Sequence, residues 1–472
     1  MATPHRHRAH AKPLSSHFSF GAWALPVFVA AAIVLGGASS AGVIPNLLLQ
    51  LLAIGLIWYV GIAVKPRVFE PAEKRLLILG ALLVVVVLLQ LVPLPPKLWT
   101  AFAGRAPVAD AFRLLGAPLP WLPMSLNPAG TVTSLLGGTI MLAAFLLTYK
   151  ASDESVSRFA WAVVLIAAVS IGVGFAQLES GAQSPLYLYS NTNRGQPVGF
   201  FANSNHLATL ELMAMPLLAA MAARRRADGQ LEGQAGHVVV FSTLGVVLLL
   251  GLVLNGSLAG LTLLLPTLIG CFLLFRGGRS RRIALIGFGV AVVLVGVFVL
   301  LALNSPIVAG YAATSLDVGP TSRLSFIGHT LDAIRTYFPL GSGLGTFSTV
   351  YPAFEDPASV TGVFVNHVHN DYLELVLESG IFGIVIVLLF LAWWAWRVTA
   401  IWRDRESGPI LRAATVVTAI VIAHSLVDYP IRTAAIAAIF TASCAIMARP
   451  FRVRAVPQVT TEAAPTAKHL SA

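Results

Sequence analysis

The stretch VNHVHNDYLELVLESG, Val365 to Gly380, sets two histidines, an aspartate, two glutamates and two asparagines in a chain that is otherwise 57% hydrophobic and 11% charged. Two chemistries suit that set. His367, His369 and Asp371 follow an H-x-H-x-D spacing, and imidazole and carboxylate together can hold a divalent ion. The second reading is a helix entry. Leu373, Val376 and Leu377 fall on one face, while Asn370, Glu374 and Glu378 stand at i, i+4 and i+8 on another. A histidine at the start of such a helix titrates near neutral pH and suits proton transfer. Glu374 or Glu378 would then orient its ring. A hydrogen-bonded network tying a loop to a helix bundle is the bland alternative for Asp371 and one glutamate.

The elements that position these residues are membrane spans. Mean hydropathy is +0.81 over 472 residues, and apolar runs near or above ~18 residues recur along the chain. The fold expected is an all-α polytopic membrane protein of about 12 transmembrane helices. The runs are Ala22–Ser39, Ile44–Val64, Leu76–Val92, Val132–Leu147, Phe159–Leu178, Leu207–Ala223, Val238–Leu254, Leu258–Phe275, Ile283–Leu303, Ile381–Trp396, Leu411–Leu426 and Ile431–Met447. With the N-terminus in the cytoplasm, roughly 24 of the 31 Lys and Arg lie inside. The net charge of +11 is thus topological rather than a nucleic-acid footprint. Both termini are expected to be cytoplasmic. Cys271 and Cys444 fall inside spans, away from disulfide chemistry.

This threading divides the chain into a basic N-terminal tail (1–21), nine spans (22–303) with outer loops at 93–131 and 179–206, a large structured outer loop (304–380), three spans (381–447) and a disordered cytoplasmic tail (448–472). The N-terminal segment leads into a span with no A-x-A-like site, so it reads as a retained anchor. The outer loops carry the unusual residues. The second holds NTNRGQPVGFFANSNH. The third holds PTSRLSFIGHTLDAIRTYFPLGSGLGTF, where Thr321 or Ser322 caps a helix with Leu324, Ile327, Leu331 and Ile334 on one face. Arg323, in its first turn, gains nothing from the helix dipole and suits an anionic partner. GSGLG follows a helix rather than a strand, which argues against a nucleotide loop. Glu211 lies within a span and is expected to face a cavity. His424 and Asp428, with Arg432 just beyond, suit a structural network or acceptor contact, and Asn203, Asn205 and His206 suit a cavity wall.

HVHND resembles the start of a metallo-β-lactamase-type zinc motif, but Tyr372 replaces its next histidine, and that motif belongs to a soluble fold. The ordered set RGQPVGFFANSNHLATL, SRLSFIGHTLDAIRTYFPLGSGLGTF and HVHNDYLELVLESGIFG, with the earlier LVPLPPKLW and PMSLNPAGT, resembles the O-antigen ligase/polymerase superfamily from about Leu76 to Arg449. The resemblance implies a glycosyltransferase at the outer, periplasmic face of the bacterial inner membrane. Its donor would be a glycan on undecaprenyl diphosphate, and its acceptor lipid A-core oligosaccharide (ligase) or another lipid-linked glycan (polymerase). Carried over by position, His369, Arg194 and Arg323 match the catalytic residues. Asn370, Glu374, Glu378, Asn203, Asn205, Tyr372, Asp428 and Arg432 are the candidate substrate-binding residues. NGSLAG departs from relatives in having Leu258 where many have Arg. Arginine forks suit the leaving diphosphate, so no metal or other cofactor is required, and attack opposite the leaving group inverts the anomeric centre. His369 serves as base or as phosphate ligand. A secondary transporter is the rival class, but it calls for repeated halves and polar residues at mid-membrane. The polar residues here gather outside.

Overall fold

A computed structural model describes residues 20–39, 42–63, 68–227, 235–275, 323–357 and 365–450, with the single positions 289, 293 and 360. The run Ile283–Leu303 and both tails lie outside the described residues, as do the capping positions Thr321 and Ser322.

The described chain is almost entirely helical. The elements are α1 (Phe20–Leu35), α2 (Val43–Ala63), α3 (Pro71–Leu91), the short α4 (Pro96–Trp99) and α5 (Ala106–Leu114), α6 (Pro128–Lys150), α7 (Asp153–Glu179), α8 (Ser204–Ala227), α9 (Ala235–Asn255) and α10 (Leu258–Leu273). After these come α11 (Arg323–Tyr337), α12 (Phe347–Val350), α13 (Asp371–Arg403), α14 (Pro409–His424) and α15 (Ala434–Ala448). Two two-residue strands, β1 (Pro93–Leu94) and β2 (Leu122–Pro123), pair antiparallel and pinch the loop between α3 and α6. Seven helices, α2, α3, α6, α7, α8, α9 and α13, are long and apolar enough to cross a membrane, and α1, α10, α14 and α15 are shorter apolar helices.

Hydropathy selects the spans but does not order them, and burial does. The apolar window of α8 is 89% buried, against 11% for α3. α8 is the central post, packed by α7, α9, α10 and α14. Its inward positions are small or flexible, including Ala208, Ala214, Met213 and Met221, so neighbours approach closely. α2, α3 and α9 turn Leu48, Ile54, Leu88 and Val239 outward, as lipid contact permits.

Helix starts follow local chemistry. Asn127 accepts a bond from the Gly130 N–H ahead of α6, Ser152 does the same for Ser155 ahead of α7, and Ser257 for Gly260 ahead of α10. Two buried glutamines then tie the loops at one end of the bundle to the helices. Gln177, near the C-terminal end of α7, accepts from Val198 N and Gly199 N and donates to Leu186 O and Gly199 O. Gln90, at the end of α3, donates to Glu378 O at 3.0 Å and accepts from Leu344 N at 2.9 Å. Each amide satisfies loop backbone that would otherwise be stranded beside hydrocarbon.

The helix that follows His369 does not run unbroken into the span. Gly380 breaks it, with φ 56° and ψ −137°, so Asp371–Ser379 is a short separate helix and the apolar run starts afresh at Ile381. Gly380 sits where a Cβ would lie 1.9 Å from Pro339 O, and Ile381 N donates to that same carbonyl at 2.9 Å. The kink is therefore locked to the loop after α11. Gly380→Ala is expected to combine a left-handed strain with a backbone clash, costing about 2 kcal/mol or more. Thermal unfolding in detergent, followed by size-exclusion chromatography, will show it as a lowered midpoint or loss of the monodisperse peak.

Candidate functional site

The polar residues meet at one end of the bundle, where the segments 36–39, 92–127, 180–205, 256–257, 338–357, 365–370 and 425–433 are cross-linked by hydrogen bonds. Gly37 O accepts from Ala202 N, and Leu126 N donates to Ser342 O. Asn370 organises the entry to α13. Its side-chain oxygen accepts from Tyr372 N and Leu373 N, both at 3.0 Å, and its amide donates to Leu426 O at 2.8 Å. Tyr372 anchors the same helix through its hydroxyl, which donates to Ile422 O at 2.7 Å. Both side chains serve the protein's own backbone.

His369 precedes that cap in a left-handed conformation, φ 57°. This is uncommon for a side chain bearing Cβ and costs on the order of 1 kcal/mol. The backbone is held there by the Asn370 cap on one side and by a carboxylate on the other. That carboxylate is Asp428: His369 Nδ1 lies 3.0 Å from Asp428 Oδ1. The expectation that Glu374 or Glu378 orients this imidazole is corrected, because those glutamates sit deeper along the helix and face other groups. Asp428 is fully buried. Its Oδ1 also accepts from Tyr429 N at 2.9 Å, and its Oδ2 accepts from Asn205 Nδ2 at 2.6 Å. Asn205 in turn accepts from Ser257 Oγ at 2.7 Å. Ser257–Asn205–Asp428–His369 is thus a hydrogen-bonded line drawn from four separate segments. Burial opposes the charge on Asp428. The His369 imidazole, with His206 and His424 further off, more than compensates and holds the carboxyl well below its usual range.

A second cluster lies beneath. Arg432 reaches Glu378 at 2.9 Å, Glu374 at 3.1 Å and Asp371 at 3.6 Å. Glu374 and Glu378 are 0% exposed. Burial disfavours the guanidinium charge, but the three carboxylates outweigh it and raise its pKa above the ordinary arginine value. The other oxygen of Glu378 accepts from Gly345 N at 2.9 Å and Phe347 N at 3.4 Å. The end of GSGLG and the start of α12 therefore direct backbone N–H groups at the protein's own glutamate. Glu374 takes Nδ1 of His367 at 2.7 Å and Val368 N at 3.2 Å. Glu374, Glu378 and Arg432 bond one another in this geometry, which is the structural network that the sequence reading set beside substrate contact. The two histidines of HVH are divided between separate carboxylates. Among the described residues no three His, Cys, Asp or Glu are gathered to hold a metal ion.

Beside His369 opens a cavity of about 220 Å³. Asn191, Asn193, Asn203 and Asn366 line it together with His206, His369 and Tyr429. Tyr429 stands at its centre, its ring 4.3 Å from that of His367 and 4.9 Å from those of His206 and His369. Asn203 and Asn366 hold its phenol, which burial and the nearby Asp428 keep protonated. Arg194 is exposed at the rim. It follows the cavity-lining Asn193, donates to Ala182 O at 3.1 Å and sits 5.6 Å over the Tyr187 ring. Arg323 heads α11, one turn before Phe326, which lines the cavity. Glu211, further down α8, is fully buried against α9 at Gly251, away from the residues lining this cavity.

Sequence reasoning missed Ser257, Gln90 and Gln177. Asparagine two residues ahead of serine in NGSLAG is the only local signal for the first. A lone glutamine near a span's outer end marks the other two.

These features define a multi-pass membrane protein whose polar site is gathered at one end of its bundle. A family model described as O-antigen ligase matches residues 243–388, which supports membership of the O-antigen ligase superfamily. No curated protein matches it. The matched segment includes Ser257 and His369, while Asn205, Asp428 and Arg432 lie outside it.

Removing Arg432 would leave three buried carboxylates without a counter-charge. Arg432→Met is expected to lower stability by about 3–5 kcal/mol. Adding Glu378→Gln to it should recover part of that loss, as read from denaturant unfolding of the single and double variants.

Proposed function

We propose that the chain transfers a glycan from undecaprenyl diphosphate to an acceptor hydroxyl at the periplasmic face of the bacterial inner membrane, as an O-antigen ligase with lipid A-core as acceptor. The observation that carries this reading is the His369–Asp428 pair, opening on a cavity beside Arg194 and the first turn of α11. Asp428 accepts the Nδ1 proton, which leaves Nε2 as the basic nitrogen. A carboxylate behind an imidazole holds the tautomer and stabilises the imidazolium as it forms. This arrangement favours His369 as base over His369 as phosphate ligand.

The acceptor hydroxyl gives its proton to His369 Nε2 as its oxygen bonds to the anomeric carbon. The bond from that carbon to the diphosphate oxygen breaks, and the leaving oxygen keeps the electron pair. Attack comes from the face opposite the diphosphate, so the anomeric centre inverts. Negative charge grows on the diphosphate, and Arg194 and Arg323 follow or precede cavity-lining residues closely along the chain, whereas Arg432, equally near, is taken up by three carboxylates. Preorganised charge of this kind contributes several kcal/mol. The polyprenyl tail lies along the apolar faces of the spans. Extension of a lipid-linked repeat is the same chemistry with a different hydroxyl, and the choice of acceptor separates the two.

The test is transfer by the purified protein in nanodiscs, with a polyprenyl-diphosphate glycan and either lipid A-core or a second lipid-linked glycan as acceptor. His369→Ala is expected to lose 10²–10⁴-fold in rate, as for a general base. Arg194→Ala and Arg323→Ala should each lose on the order of 10²-fold, and a chelator should leave the rate unchanged. Full transfer by His369→Ala contradicts the assignment. Transfer only to the second lipid-linked glycan makes the protein a polymerase.

A further inference from the structure

His206 is the cavity residue for which the transfer chemistry above has no use. It stands in the first turn of α8 and is 1% exposed, yet both ring nitrogens lack a hydrogen-bond partner. Its neighbours are otherwise well bonded. Asn205 is held by Asp428 and Ser257, and Thr209 donates to Asn205 O, so it accepts from His424 Nδ1 at 2.9 Å. An imidazole buried with both nitrogens unmet carries a desolvation cost that a ligand would relieve. His206 lines the cavity, its ring edge-on to Tyr429 at 4.9 Å.

The rest of the lining states what that ligand is. Asn191, Asn193, Asn203 and Asn366 supply amides, and Tyr429 supplies a ring. Among the described residues that line the cavity, none is Lys, Arg, Asp or Glu. A diphosphate placed here would lose its water and find no counter-charge, a cost of several kcal/mol. A neutral sugar ring has the opposite needs. Its hydroxyls both donate and accept, which is what amides and a neutral imidazole offer, and its C–H face packs on an aromatic ring.

We infer that this cavity is a subsite for an uncharged sugar residue of the acceptor, with His206 as its buried hydrogen-bonding group. The assignment to the acceptor rests on the reading of His369 as base, since the hydroxyl to be deprotonated must reach the same cavity. The diphosphate then stays outside, on the Arg194 and Arg323 side. The enzyme accordingly discriminates against acceptors whose terminal sugar carries a carboxylate.

Binding tests this apart from transfer. Neutral methyl glycosides of glucose, galactose and mannose, methyl glucuronide and inorganic pyrophosphate are titrated onto the full chain in nanodiscs, followed by saturation-transfer NMR. At least one neutral glycoside is expected to bind at least tenfold more tightly than the glucuronide, and pyrophosphate should not displace it. His206→Ala should weaken that binding roughly three- to tenfold, the effect of losing one neutral hydrogen bond. Asn191→Ala, at an exposed loop position, should weaken it similarly and serves if His206→Ala does not fold. The inference is overturned if no neutral glycoside binds, if binding survives both substitutions unchanged, or if pyrophosphate or glucuronide competes on equal terms. Sugar binding that persists in a protein without transfer activity upholds the subsite and counts against the proposed reaction instead.

Discussion

Asp428 is a buried carboxylate with no arginine or lysine on it among the described residues, and one end of the bundle is built around keeping it charged. A backbone N–H from Tyr429, an amide from Asn205 and the imidazole of His369 supply its bonds. Each comes from a different segment, so the charge acts as a clamp on the tertiary structure. It joins α8 to the turn after α14 and to the loop ahead of α13. Through Asn205 it reaches Ser257 and the start of α10. A carboxylate so held aligns the His369 ring, and the left-handed backbone at His369 is the local cost of aiming that ring at the cavity.

The Arg432 cluster beneath does the complementary work. Three acids on one guanidinium, with a glycine-rich turn closing over Glu378, set a rigid floor under the dyad. Charge is therefore sorted by depth. Ion pairs that could not survive in lipid singly are neutralised together inside the bundle, and the cavity above is walled by amides and rings. Arg194, next to the cavity-lining Asn193, is left exposed at the rim. This sorting accounts for a chain with few charged residues concentrating so many at one end of its helices.

How much of this was legible in the sequence depends on distance along the chain. Eleven apolar runs read from hydropathy coincide with apolar helices, because a lipid solvent leaves a helix few alternatives. Asn370, Glu374 and Glu378 share the helix face that their spacing implies. What that face meets was not legible. Arg432 lies 54 residues from Glu378, and Asp428 lies 59 from His369, so only the packing of the start of α13 against the turn after α14 brings them together. The break at Gly380 was hidden for a related reason, since the glycine is required by Pro339 of another segment rather than by its own neighbours. GSGLG was read as an unlikely nucleotide loop, and its last glycine donates to an internal glutamate.

The central claim is that Asp428 fixes the His369 ring with its proton on Nδ1 and its Nε2 free for the acceptor. The most direct measurement is the ¹⁵N spectrum of histidine-labelled protein in nanodiscs, with His369 assigned by substitution. The account predicts a hydrogen-bonded Nδ1–H tautomer with Nε2 unprotonated once the ring is neutral, and a change in that signature in Asp428→Asn. An Nε2–H tautomer for His369, or a spectrum indifferent to Asp428→Asn, would contradict it.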